Sequence, residues 1–207
     1  MSTTNMKDFV NEIINPTAKK LKALYNKEYW PCVKDSQDVS EADITLYLCK
    51  NLITKGWLVY QEVPFYKGTH KKTIKRLDAI ALSKDKQKII CIEAKRIWGN
   101  VKPKEIIYDI KRIEKYDPPN ARDYNLNIHE KIGLIIGDCW RNRIAEWWEK
   151  EPHSNHPEGY RSKTWEVLGD LLDKAEVGSI RIYENEGKRK KELDPHDQFL
   201  VYALFKV

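Results

Sequence analysis

CIEAKRIW, residues 91 to 98, constrains the fold more than any other stretch of this chain. It closes an apolar run, KIICIEAK, that reads as a buried β-strand yet carries a glutamate and a lysine. A charge taken out of water without a partner is too costly to keep, so such a strand must deliver Glu93 and Lys95 to compensating groups. Side chains alternate faces along a strand, which puts Cys91, Glu93 and Lys95 on one face and Ile90, Ile92 and Ala94 on the other.

The neighbouring segments say where those groups come from. WLVYQEVPFY and IKRLDAIAL are strand-like and, with KIICIEAK, form a β-meander through the basic loop KGTHKK and the turn SKDKQ. Counting outward from SKDKQ, antiparallel pairing brings Asp78 beside Glu93. Two carboxylates and a lysine then meet at one end of a small sheet, and two such acceptors can hold a hard cation such as magnesium, which offsets their repulsion. Before the meander, SEADITLYLCKNLITKGW predicts a helix from a Ser40 cap to Gly56. On it Glu41 falls on the face of Ile44, Leu48 and Leu52, and Asp43 nearly opposite. After the meander come the helix KPKEIIYDIKRIEKY, with Pro103 in its first turn, the strand KIGLIIGD and the helix WRNRIAEWWEK. A loop at 152 to 160, a short helix TWEVLGDLLDKA and the strands SIRIYEN and QFLVYALFKV follow. The N-terminal MKDFVNEIINPTAKKLKALYNKEYW reads as a helical arm that Pro16 interrupts.

This order predicts one α/β domain over 1–207: a helical arm and linker at 1–38, a motif-bearing core at 39–138 and a C-terminal elaboration at 139–207. With 207 residues, 41% of them hydrophobic, the chain can bury one sizeable core. The formal charge of +6 favours polyanionic partners. Four cysteines without CxxC spacing fit a reducing, cytoplasmic setting, and no basic-then-apolar leader or membrane-length apolar run is present. No nucleophile elbow, phosphate-binding glycine loop or zinc-finger spacing occurs.

Asp78 followed by Glu93-Ala94-Lys95 resembles the PD-(D/E)XK nucleases, the restriction-endonuclease-like superfamily, over about residues 40 to 138. Leu77 stands where that family usually has proline, and the helix after the lysine lacks the Gln-x-x-x-Tyr of RecB-type exonucleases. The resemblance implies a central mixed β-sheet flanked by helices in the order αβββαβ. It implies phosphodiester hydrolysis in which Asp78 and Glu93, with a backbone carbonyl near Ile92 or Ala94, position magnesium, for which manganese can substitute. Lys95 would orient or deprotonate the attacking water and stabilise the phosphate. Glu41 would supply a further carboxylate.

Nucleic acid, in the first place DNA, would be gripped by Lys67, His70, Lys71, Lys72, Lys75 and Arg76 ahead of Asp78, with Arg96, Lys102 and Lys104 extending the patch. Acidic-x-Lys recurs at Asp109-Ile110-Lys111 and Glu186-Gly187-Lys188, where solvated charge is the expected explanation. Lys188 to Lys191 reads as a solvated hairpin tip or a distal clamp on nucleic acid, His153 and His156 as part of a polar loop. Trp147 reads as core, and Trp148 as core or as free to face a base or a second subunit. No membrane association is expected, and a homodimer is compatible with the sequence. The competing function is a catalytically inactive nucleic-acid- or protein-binding module on the same fold.

Overall fold

The computed structural model describes residues 5–25, 41–65, 75–97, 99, 101–118, 126–153, 156–184 and 197–207. Its centre is a six-stranded mixed sheet in the order β1-β2-β3-β4-β6-β5. The strands are β1 (Leu58–Phe65), β2 (Lys75–Leu82), β3 (Lys88–Ile97), β4 (Glu130–Cys139), β5 (Glu176–Tyr183) and β6 (Gln198–Lys206). The first three form the expected antiparallel meander, β3 and β4 run parallel, and β6 returns antiparallel to β4 with β5 outside it. The C-terminal strands therefore extend the same sheet.

The helices fall on two sides. α1 (Met6–Phe9), a π-helical turn at Val10–Ile14, α2 (Asn15–Tyr25) and α3 (Glu41–Thr54) precede the sheet. α4 (Lys102–Glu114), α5 (Asn142–Glu149) and α6 (Lys163–Leu172) come later in the chain. Alternation along the strands sorts the core between them. Ile90, Ile92 and Ala94 of β3 pack with Phe9, Ile14, Leu21, Ile44, Leu48 and Leu52, while Ile89, Cys91 and Ile97 pack with Ile106, Ile110, Trp148 and Trp165. Each fully covered isoleucine or leucine among them contributes about 1.5–3 kcal/mol of apolar burial.

The N-terminal run departs from expectation. Pro16 does not break it, because the preceding turn widens to the π form, with the Asn15 N–H bonded to the Val10 carbonyl. The run packs as an arm should and goes further, since Phe9, Ile13, Ile14, Ala18 and Leu21 are core. Asn51 Nδ2 on α3 donates to Thr17 Oγ1 at 2.9 Å and pins the two helices together.

α3 ends where the sequence places its stop. Gly56 takes φ +85°, and the Trp57 N–H reaches back to the Leu52 carbonyl at 3.0 Å. Ser40 lies outside the described residues. Ser83–Gln87 closes the β2–β3 hairpin, with Ser83 N–H on Lys88 O at 2.9 Å and Lys88 N–H on Ser83 Oγ at 2.9 Å. Among the described residues no helix is long and apolar enough to cross a membrane.

Candidate active site

The site forms where the meander comes apart. β2 and β3 stay in register from Leu82↔Ile89 to Ala79↔Ile92, and the pairing stops there. At the next rung the Asp78 side chain takes over from the ladder: its Oδ2 accepts from Ala94 N–H at 2.7 Å. The β1–β2 pairing skips the same point, passing from Gln61↔Ala79 to Val63↔Leu77, and opposite Asp78 the non-glycine Glu62 sits at φ +53°. Left-handed backbone at a non-glycine residue is uncommon and gathers at functional sites.

Glu41 arrives from the other side. In the first turn of α3, its Oε1 accepts from Arg96 N–H at 2.6 Å. Carboxylates from β2 and α3 thus hold the two main-chain N–H groups that flank Lys95. Glu93, just before Ala94 on the strand, is 0% exposed.

What answers Glu93 comes largely from α4. The guanidinium of Arg112 contacts the carboxylates of Glu93 and Asp109, lying 2.9 Å from Asp109 Oδ1. Lys95 Nζ stands 3.3 Å from Asp109 Oδ2 and 3.9 Å from Glu93 Oε2. In this group four carboxylates (Asp78, Glu93, Asp109, Glu41) face two cations (Lys95, Arg112), so two negative charges are left over when all are ionised.

The titration of the group follows. Burial, then the charges of Asp109 and Asp78, push the Glu93 carboxyl up to about 8 against the pull of Arg112. Burial likewise raises Asp78 and Asp109. For Lys95, burial opposes the charge, but Asp109, Glu93 and Asp78 together outweigh it and hold the amine above its ordinary value.

Asp109 overturns an expectation. Read as solvated helix charge, it is buried at 4% exposure and anchors Lys95. Helical periodicity carries the missed signal: Asp109 lies roughly 60° from Ile106, on the flank of the inward isoleucine stripe, with Arg112 one turn further along that flank. Ile106, Ile110 and Ile113 dock that stripe and bring the flank over β3.

A second polar cluster adjoins the first. Asp138 on β4, 0% exposed and in register with Arg96, receives Trp140 Nε1–H at 3.0 Å, and Arg96 Nε stands 3.5 Å from the same oxygen. Arg96, expected in the phosphate-gripping patch, is thus ion-paired within the fold. Arg76 is exposed and pairs with Glu62 at 3.5 Å. Lys75 opens β2 opposite Phe65, and Lys67, His70, Lys71 and Lys72, with Lys188 to Lys191, lie outside the described residues.

Other expectations change with packing. Trp148 is fully buried and donates Nε1–H to the Tyr202 carbonyl at 2.8 Å, so it faces the core and not a base. The His153 side chain is covered, its Nδ1 2.5 Å from Asp173 Oδ1 and its ring edge-on to Trp147. Cys49, Cys91 and Cys139 are buried free thiols, and burial pushes Cys91 and Cys139 up to about 12, too high for a thiolate nucleophile at neutral pH.

The residues fit a divalent cation by charge, because the acidic surplus at Asp78, Glu93 and Glu41 matches one. Among the described residues no group of three or more His, Cys, Asp and Glu side chains stands in a metal-holding arrangement. Glu93 instead faces Arg112, and neither of its oxygens has a well-directed hydrogen bond. No protein-family model, curated protein or solved structure matches this chain.

Proposed function

We infer that this protein is a magnesium-dependent nuclease with a restriction-endonuclease-like core, and in the first place a DNA endonuclease of restriction, repair or mobile-element type. One observation carries the reading. Asp78 and Glu41 reach β3 from different elements and grip the N–H groups on either side of Lys95, with buried Glu93 next to them. A sheet needs no such arrangement for stability, since replacing buried ionic groups by well-packed apolar ones is often neutral or stabilising.

Asp78 and Glu93 would hold magnesium, or manganese in its place, with Glu41 contributing through its second oxygen. The chemistry a bound ion supplies is a water of lowered pKa and neutralisation of charge growing on the phosphate. Lys95 keeps its proton beside three carboxylates and offers a positive charge to the phosphate and a donor to the attacking water. Asp109 fixes where that amine sits. The basic segment before Asp78 would carry the nucleic-acid backbone past the site.

The contact between Arg112 and Glu93 favours a second reading, a binding module whose buried acid is already neutralised. Nicking of supercoiled plasmid with magnesium, manganese or a chelator separates the two. Divalent-dependent nicking that Asp78→Ala abolishes supports the nuclease. DNA binding without cleavage under any of these ions would replace it by the binding module.

A further inference from the structure

Arg112 occupies an unusual position for an arginine on an outer helix. Its side chain, 12% exposed, brings the guanidinium across the carboxylates of Glu93 and Asp109, whose side chains are 0% and 5% exposed. The other cation in reach, Lys95, lies closer to Asp109 than to Glu93. Arg112 is therefore the cation that covers Glu93 most closely. A divalent cation on the same carboxylate would bring a second compensating charge to a group that one guanidinium already covers. The two cannot crowd onto Glu93 without mutual repulsion at low dielectric. In the same position its guanidinium carbon is 5.9 Å from the ring of Tyr108, which is 48% exposed, a contact that does not depend on Glu93.

We propose that Arg112 is a resident counter-cation that covers Glu93 in the metal-free chain, yields it to a divalent ion, and so sets the metal affinity of the site by competition. The proposal rests on the reading of Glu93 as a metal ligand. It makes Arg112 a residue that weakens metal binding, whereas a residue that merely positions Glu93 would strengthen it.

Manganese titrations of the full chain, followed by the decrease of the free-ion electron spin resonance signal, test the sign. Arg112→Gln is expected to bind manganese on the order of tenfold more tightly than wild type, the scale of a single charge-assisted hydrogen bond. It is also expected to melt at a lower temperature in chelator and to gain more on adding manganese than wild type does. Arg112→Lys, whose ammonium serves one carboxylate at a time, shifts affinity the same way by less and carries the test if the glutamine variant does not fold. Equal or weaker binding in these variants overturns the competition. A wild type that binds no manganese, or a Glu93→Gln variant that binds as wild type does, overturns instead the metal-ligand reading beneath it. Binding that Glu93→Gln abolishes and Arg112→Gln fails to tighten overturns the role of Arg112 alone.

Discussion

Two buried acids lie near the C-terminal ends of adjacent parallel strands, Glu93 on β3 and Asp138 on β4, both 0% exposed and both beside an arginine. Their surroundings differ. Asp138 has Arg96, the Trp140 indole and the Gln198 amide at 3.0 to 3.5 Å from one oxygen. One negative charge there meets one cation, with two neutral donors on the same oxygen, so the charge is balanced within the fold. Glu93 shares its surroundings with Asp109 and Asp78, and acids outnumber cations around it. A balanced cluster ties elements together; one with surplus charge of a single sign stores a demand for a further ion.

The largest expected difference is in cleavage. Asp78→Ala or Glu93→Ala should lower divalent-dependent nicking by at least about 10²–10³-fold, the range for removal of one group that stabilises transition-state charge. Asp138→Asn should leave nicking near wild type and lower stability by about 1–3 kcal/mol in urea unfolding. The contrast breaks if Asp138→Asn remains folded and loses cleavage while Glu93→Ala keeps it.

Lys95→Ala sharpens the division inside the first cluster. Turnover should drop on the order of 10²-fold with manganese affinity largely retained, because the amine serves water and phosphate. A drop in metal binding as large as that of Glu93→Ala would make Lys95 part of the ion's own cradle.

A smaller effect is in pH. Glu93 is raised from 4.5 to about 8, so between those values the folded metal-free chain holds a proton that the unfolded chain has released. Its stability therefore falls as pH rises from about 4.5 towards 8, and the raised Asp78 and Asp109 act in the same direction. Glu93→Gln should flatten that decline and Asp138→Asn should not, measured by urea unfolding in chelator at about pH 6 and about pH 8. Parallel declines in wild type and Glu93→Gln would remove Glu93 from the set of acids that are strained when ionised.

The smallest effect is on gripping. Changing Lys71, Lys72 and Lys75 to alanine should flatten the dependence of log affinity on log salt by roughly 0.9 for each phosphate of duplex DNA that is no longer neutralised, with turnover at saturation little changed. A salt slope that superimposes on wild type would move the nucleic-acid path to another face.

Local pattern makes the elements legible. Alternation along KIICIEAK, the Ser83–Gln87 turn and the Gly56 stop each depend on residues a few positions apart, and all three are found where the sequence places them. The direction of Glu41 is readable for the same reason, since helical spacing relative to Ile44 and Leu48 turns it inward. The flank position of Asp109 is readable in the same way, but its spacing to the isoleucines describes only its own helix. Nothing local says that α4 lays that flank over β3.

Sequence alone thus determined which side chains share a face and where the strands turn, because periods of 2 and 3.6 are set by backbone geometry within each element. Only the tertiary structure decided which partner answers each charge. Arg112 meets Glu93, Asp138 meets Gln198 across 60 positions of chain, Trp148 meets the Tyr202 carbonyl, and the run through Pro16 joins the core. Those meetings are chosen by packing between elements distant in sequence, where a buried charge settles against whatever cation the fold brings within reach.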